Sequence, residues 1–330
     1  MGTEIIPLWG WILFYAAVLI MLLIDLKSFG KHGQHEVNMS EALKMTAVWI
    51  GISLVFCAGI YWLYPGDPHE KAMEFLAGYL IEKSLSMDNL FVFLMLFSFF
   101  GVERKYQHKV LFWGIFGALV LRSVFIFAGT ALIARFEWIL AVFGIFLIYT
   151  GFKMFGNHED ENVDPSKNIF VKLFKRFFPV TDKMYGGEFF VKEEMTSPNP
   201  SCRRGTRWLA TPLFITLIVI ETTDVAFAVD SIPAVFSVSR DPFIILTSNI
   251  FAILGLRALY FALAAIAKYF KYLKYGLGII LSFVGVKMLL DVLWHIEVPT
   301  LLSLTIIFGV LLLSMGLSVI ISRRKAQQSL

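Results

Sequence analysis

Nine stretches of the chain are apolar for about the length a membrane helix needs, roughly 20 residues. They are 7–26, 44–64, 73–100, 108–133, 136–156, 211–238, 242–266, 273–293 and 299–322. No soluble domain of this size has an interior that could bury so much hydrocarbon. Composition agrees: of 330 residues, 58% are hydrophobic and only 16% charged. That places the chain among integral membrane proteins. The expected fold class is an all-α integral membrane protein of about nine transmembrane helices. The third stretch is long for a straight span, so tilt or a break is expected there. No basic run precedes the first stretch and no clear cleavage site follows it, so it reads as a retained span and not a signal peptide.

The basic residues sort by side. One side takes Lys27, Lys31 and Lys44; Arg104, Lys105 and Lys109; the run from Lys153 through Arg207; Lys268, Lys271 and Lys274; and Arg323, Arg324 and Lys325. The other takes only Lys71, Arg135 and Arg240. Alternation through nine spans produces this asymmetry, and the positive-inside rule then puts the N-terminus outside and the C-terminus in the cytoplasm.

An internal duplication is legible. With Glu82 set on Asp224, Asp88 falls on Asp230 and Asn89 on Ser231. Further on, Ile115-Phe-Gly-Ala-Leu-Val-Leu-Arg122 matches Ile250-Phe-Ala-Ile-Leu-Gly-Leu-Arg257, and Gly151-Phe-Lys-Met154 matches Gly285-Val-Lys-Met288. Each copy holds three spans, so the second enters from the opposite face: two inverted three-helix repeats. Such transporters hold their substrate near the bilayer midplane, between the repeats. The chain divides into two N-terminal helices (1–72), a first repeat (73–156), a cytoplasmic loop (157–207), a second repeat (208–293) and a last helix with its tail (294–330). Within the loop, Ile169 to Phe178 alternates apolar and basic residues at near-helical spacing. It reads equally as an amphipathic helix on the inner leaflet and as a solvated linker.

Carboxylates at lipid depth are costly unless a cation, a proton or water relieves them. Glu82 and Asp88 lie in the third stretch; Glu221, Asp224 and Asp230 lie in the sixth. Six residues along a regular helix place Glu82 and Asp88 on different faces, and the same holds for Asp224 and Asp230. They can share an ion only if the helix unwinds or if the two repeats meet. Pro233 favours a break in the second copy, because it has no N–H for the carbonyl of Val229. The candidate metal ligands are Glu82, Asp88, Asn89, Asp224, Asp230 and Ser231, with Glu221 as a proton relay. All are oxygen donors, which suit Mg²⁺, Ca²⁺ or Mn²⁺ over Zn²⁺ or Cu⁺. Met87 is the one soft atom nearby. Lys83, Arg122 and Arg257 are the buried bases and the expected structural charge partners, the two arginines locking the repeats together. Five carboxylates against these three bases leave a surplus of two negative charges, the charge of one divalent cation. The plainer reading is that these groups only neutralise one another.

Glu82-Lys-Ser-Leu-Ser-Met-Asp-Asn-Leu-Phe-Val-Phe, Phe227-Ala-Val-Asp-Ser-Ile-Pro-Ala and Ser248-Asn-Ile-Phe-Ala-Ile-Leu-Gly-Leu-Arg-Ala resemble the TerC family of integral membrane proteins, named for tellurium resistance, and within it the Alx-like branch. The resemblance runs from roughly Gly10 to Ser322. It implies a multi-pass transporter of the bacterial inner membrane that exports Mn²⁺, with the acidic motifs as ion site. The branch has also been described as a redox modulator. Cys57 and Cys202 are isolated, so no disulfide framework or dithiol centre supports that description.

No P-loop, nucleotide fingerprint or nucleophile–base pair is present, so neither an enzyme nor an ATP-driven pump is expected. The expected partners are a divalent metal ion, protons and the lipid bilayer, with no nucleic acid and no resident cofactor. The competing hypothesis is a non-transporting scaffold that recruits stress-response partners through the 157–207 loop.

Overall fold

Proline opens three of the helices. Pro68, Pro212 and Pro242 each stand at a helix start, where the missing N–H costs nothing and the fixed φ suits the first turn. Asp67 and Asp241 precede two of them as caps: Asp67 accepts from the backbone N–H of Glu70 at 3.1 Å, and Asp241 from that of Phe243 at 2.9 Å. The computed structural model describes residues 6–30, 39–136, 138–155, 169–181, 183, 185–194, 206–266, 273–296 and 298–328. The helices are α1 (Leu8–Gly30), α2 (Met39–Leu63), α3 (Pro68–Phe99), α4 (Arg104–Arg135), α5 (Ile139–Lys153), α6 (Ile169–Phe177), α7 (Pro212–Phe236), α8 (Pro242–Leu254), α9 (Leu256–Ile266), α10 (Leu273–Trp294) and α11 (Thr300–Gln328). Between α6 and α7, β1 (Phe190–Glu194) and β2 (Thr206–Ala210) pair antiparallel. The all-α expectation is thus amended by one hairpin in the polar loop.

By length and apolarity, six described helices qualify as membrane spans, or seven when the bent pair α8–α9 counts as one. Two helices separate this count from the nine expected. α3 is 32 residues long but carries Glu82, Lys83 and Asp88 in its middle, and α5 has only 15 residues. The protein is an integral, multi-pass membrane protein. The distribution of side chains is that of a molecule in lipid: Arg122 and Arg257 are the largest fully buried side chains, while Leu13, Val55, Tyr149 and Leu313 are exposed. A water-soluble fold has the reverse arrangement.

The breaks fall elsewhere than the sequence indicates. α3 runs unbroken through Glu82 and Asp88, and α7 runs unbroken through Asp224, Asp230 and Pro233. Pro233 lies in the last turn of α7, where the helix has almost ended and little ladder is lost; Ser237 N–H still donates to its carbonyl at 3.3 Å. The interruption is at Gly255, where α8 and α9 meet at 41°. A Cβ at Gly255 would stand 3.0 Å from both Lys83 Nζ and Trp49 Cβ. The break is therefore a place where α2 and α3 press against bare backbone.

The central helices pack as α5 on α10, α3 on α8, α4 on α7 and α3 on α7. Direction follows from named contacts. Gly114 lies against Ile220, and Gly129 against Phe236, so α4 and α7 are parallel. Gly78 lies against Ser248 and Lys83 reaches Ala252, so α3 and α8 are parallel. Gly144 abuts Gly285 while Gly151 abuts Gly278, so α5 and α10 are antiparallel. The last contact is backbone to backbone: a Cβ on Gly285 would come within 2.6 Å of the Gly144 carbonyl oxygen. Small residues at that crossing are what allow the close approach.

Candidate functional site

The buried centre is built by three unbroken helices. α3 brings Glu82, α4 brings Arg122, and α7 brings Glu221, Asp224 and Ser231. Arg122 has no solvent exposure, nor has Glu82. The guanidinium reaches in three directions. Nη1 forms an ion pair with Glu82. Nε and Nη2 donate to Asp224 Oδ2 and Oδ1 at 3.2 and 3.0 Å. Nη1 also donates to Ser231 Oγ at 3.3 Å. Glu82 and Asp224, the two acids aligned by the internal duplication, thus meet on one cation.

Two carboxylate oxygens are left over. Glu82 Oε2 and Glu221 Oε2 are buried with no hydrogen-bond partner among the described residues. Gly117 on α4 faces the Glu221 carboxylate; a side chain there would collide with it. Glu221 and Asp224 are three residues apart on α7 and share a face. This described group therefore holds three carboxylates against the single guanidinium of Arg122. A buried carboxylate without full compensation costs several kcal/mol or takes up a proton.

The other expected residues fall as follows. Asn89 and Ser231 are buried. For Asp88 and Asp230 the helical backbone is described but the side chain is not, so their part in the site lies outside the described residues. Among the described residues, no three His, Cys, Asp or Glu side chains are arranged to hold a metal ion. Lys83 turns away from the acids: its ammonium donates to the carbonyl of Ala252 at 3.1 Å, one turn before the break at Gly255.

Arg257 does not do what Arg122 does. Its Nη2 pairs with Asp25 Oδ2 at 2.6 Å and donates to the Asp25 carbonyl at 2.5 Å. It therefore fastens α9 to α1, while Arg122 fastens α3 to α7. Asp25 is the residue sequence reasoning missed. The signal is an acid inside the apolar run Met21-Leu-Leu-Ile-Asp-Leu.

A second polar group sits at the end where α3 and α8 begin. Lys71 Nζ contacts both oxygens of Glu74 at 3.0 and 2.8 Å, and Ser239 Oγ donates to Glu74 at 2.6 Å. Tyr64 donates to Asp241 at 2.5 Å, and Arg240 pairs with Asp291 at 2.9 Å. These bonds tie α2, α3, α8 and α10 together at that end.

The chain is 45% identical to a protein of Escherichia coli K12 named Alx and described provisionally as a membrane-bound redox modulator, across 99% of this chain and 98% of that one. It is 45% identical to the uncharacterized membrane protein STKORF319 of Myxococcus xanthus, over 95% of this chain and 92% of that one. It is 40% identical to an uncharacterized membrane protein of Rickettsia bellii, over 94% and 97% of the two chains. No solved structure matches it significantly. The model of the integral membrane protein TerC family matches residues 67–326, from the cap of α3 to the last turn of α11. On that match and these identities, the chain belongs to the TerC family of integral membrane proteins.

Proposed function

We propose that the protein is a secondary transporter that exports a divalent cation, Mn²⁺ by family resemblance, from the bacterial cytoplasm in exchange for protons. The observation that carries this reading is the convergence of Glu82 and Asp224 on Arg122 in a buried centre holding more carboxylate than cation. Buried acids of this kind mark ion and proton pathways in membrane proteins. Neither α3 nor α7 unwinds at the acids, so the shared site requires the helices of both repeats to meet, and they do.

Nine spans, six of them in two inverted three-helix repeats, form the frame of this reading. The helix directions support it. If α3 and α5 both cross the membrane, alternation makes α3 parallel to α8, α4 parallel to α7 and α5 antiparallel to α10, which are the directions the contacts give. The glycine crossing supports it further. The duplication equates Gly144 with Gly278 and Gly151 with Gly285, so the contacts Gly144–Gly285 and Gly151–Gly278 exchange under a two-fold axis. Equivalent helices running oppositely are what an axis in the membrane plane produces. The Lys and Arg asymmetry puts the N-terminus outside and the C-terminus in the cytoplasm of the inner membrane.

In this reading Arg122 is the resident counter-cation of the empty carrier. Mn²⁺ arriving at Glu82, Asp88, Asn89, Asp224, Asp230 and Ser231 competes with the guanidinium for the same oxygens. Glu221, with an unpartnered oxygen beside Asp224, relays the proton. The substrate is the ion itself; no enzymatic step, resident cofactor or nucleic acid enters. The relatives' redox description would need thiol chemistry. Cys57 instead donates to the carbonyl of Ala72 at 3.4 Å on the flank of α2, and Cys202 lies outside the described residues.

The test is Mn²⁺ flux in proteoliposomes, with Asp88→Asn and Asp230→Asn beside the wild type. Flux abolished in both variants is expected. Undiminished flux removes the site.

A further inference from the structure

The loop between α5 and α7 contains a short basic helix held in place by its neighbour. α6 packs on α7. Val171 is buried, Phe174 lies 5.3 Å from the ring of Phe214, and Phe190 lies 4.5 Å from the same ring. Phe214 is in the first turn of α7, where that span enters the bilayer. A second tether acts on the loop: Lys109 near the start of α4 donates to the Gly187 carbonyl at 2.8 Å and sits over the Phe189 ring. α6 is thereby held beside the start of the apolar helix α7, on the side where the sequence places the other basic loops.

The face of α6 turned from α7 is not neutral. Lys172, Lys175 and Arg176 are exposed together at helical spacing. Leu173 beside them is 53% exposed and Phe178, just past the helix end, 48%. Among the described residues no carboxylate pairs with any of the three bases. A nine-residue helix does not persist alone in water; Val171 and Phe174 hold it on its inner side, while Lys172, Leu173, Lys175 and Arg176 are exposed. Three cations on one strip of the helix, with an exposed apolar side chain at its edge, match the chemistry of phosphate esters above hydrocarbon.

We propose that this face of α6 is a docking site for the anionic phospholipid headgroups of the leaflet from which α7 enters. Lys172, Lys175 and Arg176 contact the phosphates, and Leu173 and Phe178 reach the upper acyl region. This surface is independent of the ion site at Arg122.

The experiment follows amide hydrogen exchange across 169–177 in the full-length protein. It compares neutral phosphatidylcholine vesicles with vesicles that also contain phosphatidylglycerol. Exchange slowed by about tenfold or more is expected with phosphatidylglycerol. The protection should fall at high salt and vanish in the combined variant Lys172→Gln/Lys175→Gln/Arg176→Gln, with thermal unfolding unchanged. Equal exchange of the wild type in the two lipids overturns the proposal without any variant. So does equal protection from inorganic phosphate added to neutral vesicles, because the site would then take a free anion and not a lipid.

Discussion

Arg122 grips Asp224 through two parallel bonds, Nε to Oδ2 and Nη2 to Oδ1, while its remaining nitrogen serves Glu82 and Ser231. A bidentate guanidinium–carboxylate pair is strong and fixes geometry. Here it also joins α4 to α7 at a depth where water does not screen it. Removing one member of such a pair strands a buried charge, at a cost of about 3–5 kcal/mol.

Arg122→Gln is therefore expected to lower thermal stability by that amount, and divalent cation should restore part of the loss. Thermal unfolding of the purified protein with and without Mn²⁺ checks both. Mn²⁺ should raise the midpoint of Arg122→Gln more than that of the wild type, since the variant has lost its competitor. Equal shifts would mean that the guanidinium and the ion do not share oxygens.

The glycine crossing makes a paired prediction. A Cβ on Gly285 meets the Gly144 carbonyl at 2.6 Å, and one on Gly278 meets the Gly151 carbonyl at 2.8 Å. Both obstacles are backbone, which cannot rotate away. Gly285→Ala and Gly278→Ala are each expected to cost about 1–3 kcal/mol by overpacking. Gly51→Ala and Gly309→Ala, where nothing stands within 4 Å, should leave stability within about 0.5 kcal/mol. The four midpoints, measured side by side, decide whether close approach of α5 and α10 is what the glycines are for.

Part of this arrangement is legible in the sequence. The register that sets Glu82 on Asp224 needs only two similar motifs, and the structure brings those two side chains to one arginine. Membrane character follows from apolar length. What the sequence could not show is partner choice over long range. Arg122 and Arg257 occupy matching places in matching motifs, yet one meets Glu82 and Asp224 and the other meets Asp25, because α1 lies outside the duplication and only packing decides where it docks. The break lies at Gly255 and not at Pro233 for a related reason. Proline is a local signal, but its effect at Pro233 is small so close to a helix end, whereas Gly255 yields because Lys83 and Trp49 press on it from distant positions. The β1–β2 pairing is not legible because Phe-Val-Lys-Glu-Glu and Thr-Arg-Trp-Leu-Ala are short and are separated by eleven residues, with Ser197-Pro-Asn-Pro200 among them, where common hairpin loops have about two to five.

Asp25 supplies the next test. Asp25→Asn keeps the shape and removes the charge opposite Arg257, whose Nη2 it meets at 2.6 Å. Loosening of α1 from α9 is expected, read as faster proteolytic cleavage within the segment joining α1 to α2 and a midpoint lowered by about 3–5 kcal/mol in unfolding free energy. Mn²⁺-dependent stabilisation should keep the wild-type affinity, since this ion pair is not part of the acidic centre. A change in that affinity would link α1 to the ion site.

The last prediction concerns whether α3 and α5 cross the bilayer. α3 is the harder case, since Glu82, Lys83 and Asp88 would oppose its insertion. Its partners offset part of that cost: Arg122 meets Glu82, and the Ala252 carbonyl meets Lys83. Those partners come from α4 and α8, so α3 becomes stable across the membrane only when the neighbouring helices have assembled. In a background with Cys57→Ser and Cys202→Ser, single cysteines at His69 and Glu103 mark the two ends of α3, and at Trp138 and Phe155 those of α5. A membrane-impermeant thiol reagent applied to intact cells should label positions 69 and 138 and reach 103 and 155 only after lysis. Labelling of both ends of α3 from the same side would reduce it to a re-entrant hairpin partner, and the inverted repeat would fall with it, because α3 parallel to α8 has no other explanation in an alternating chain.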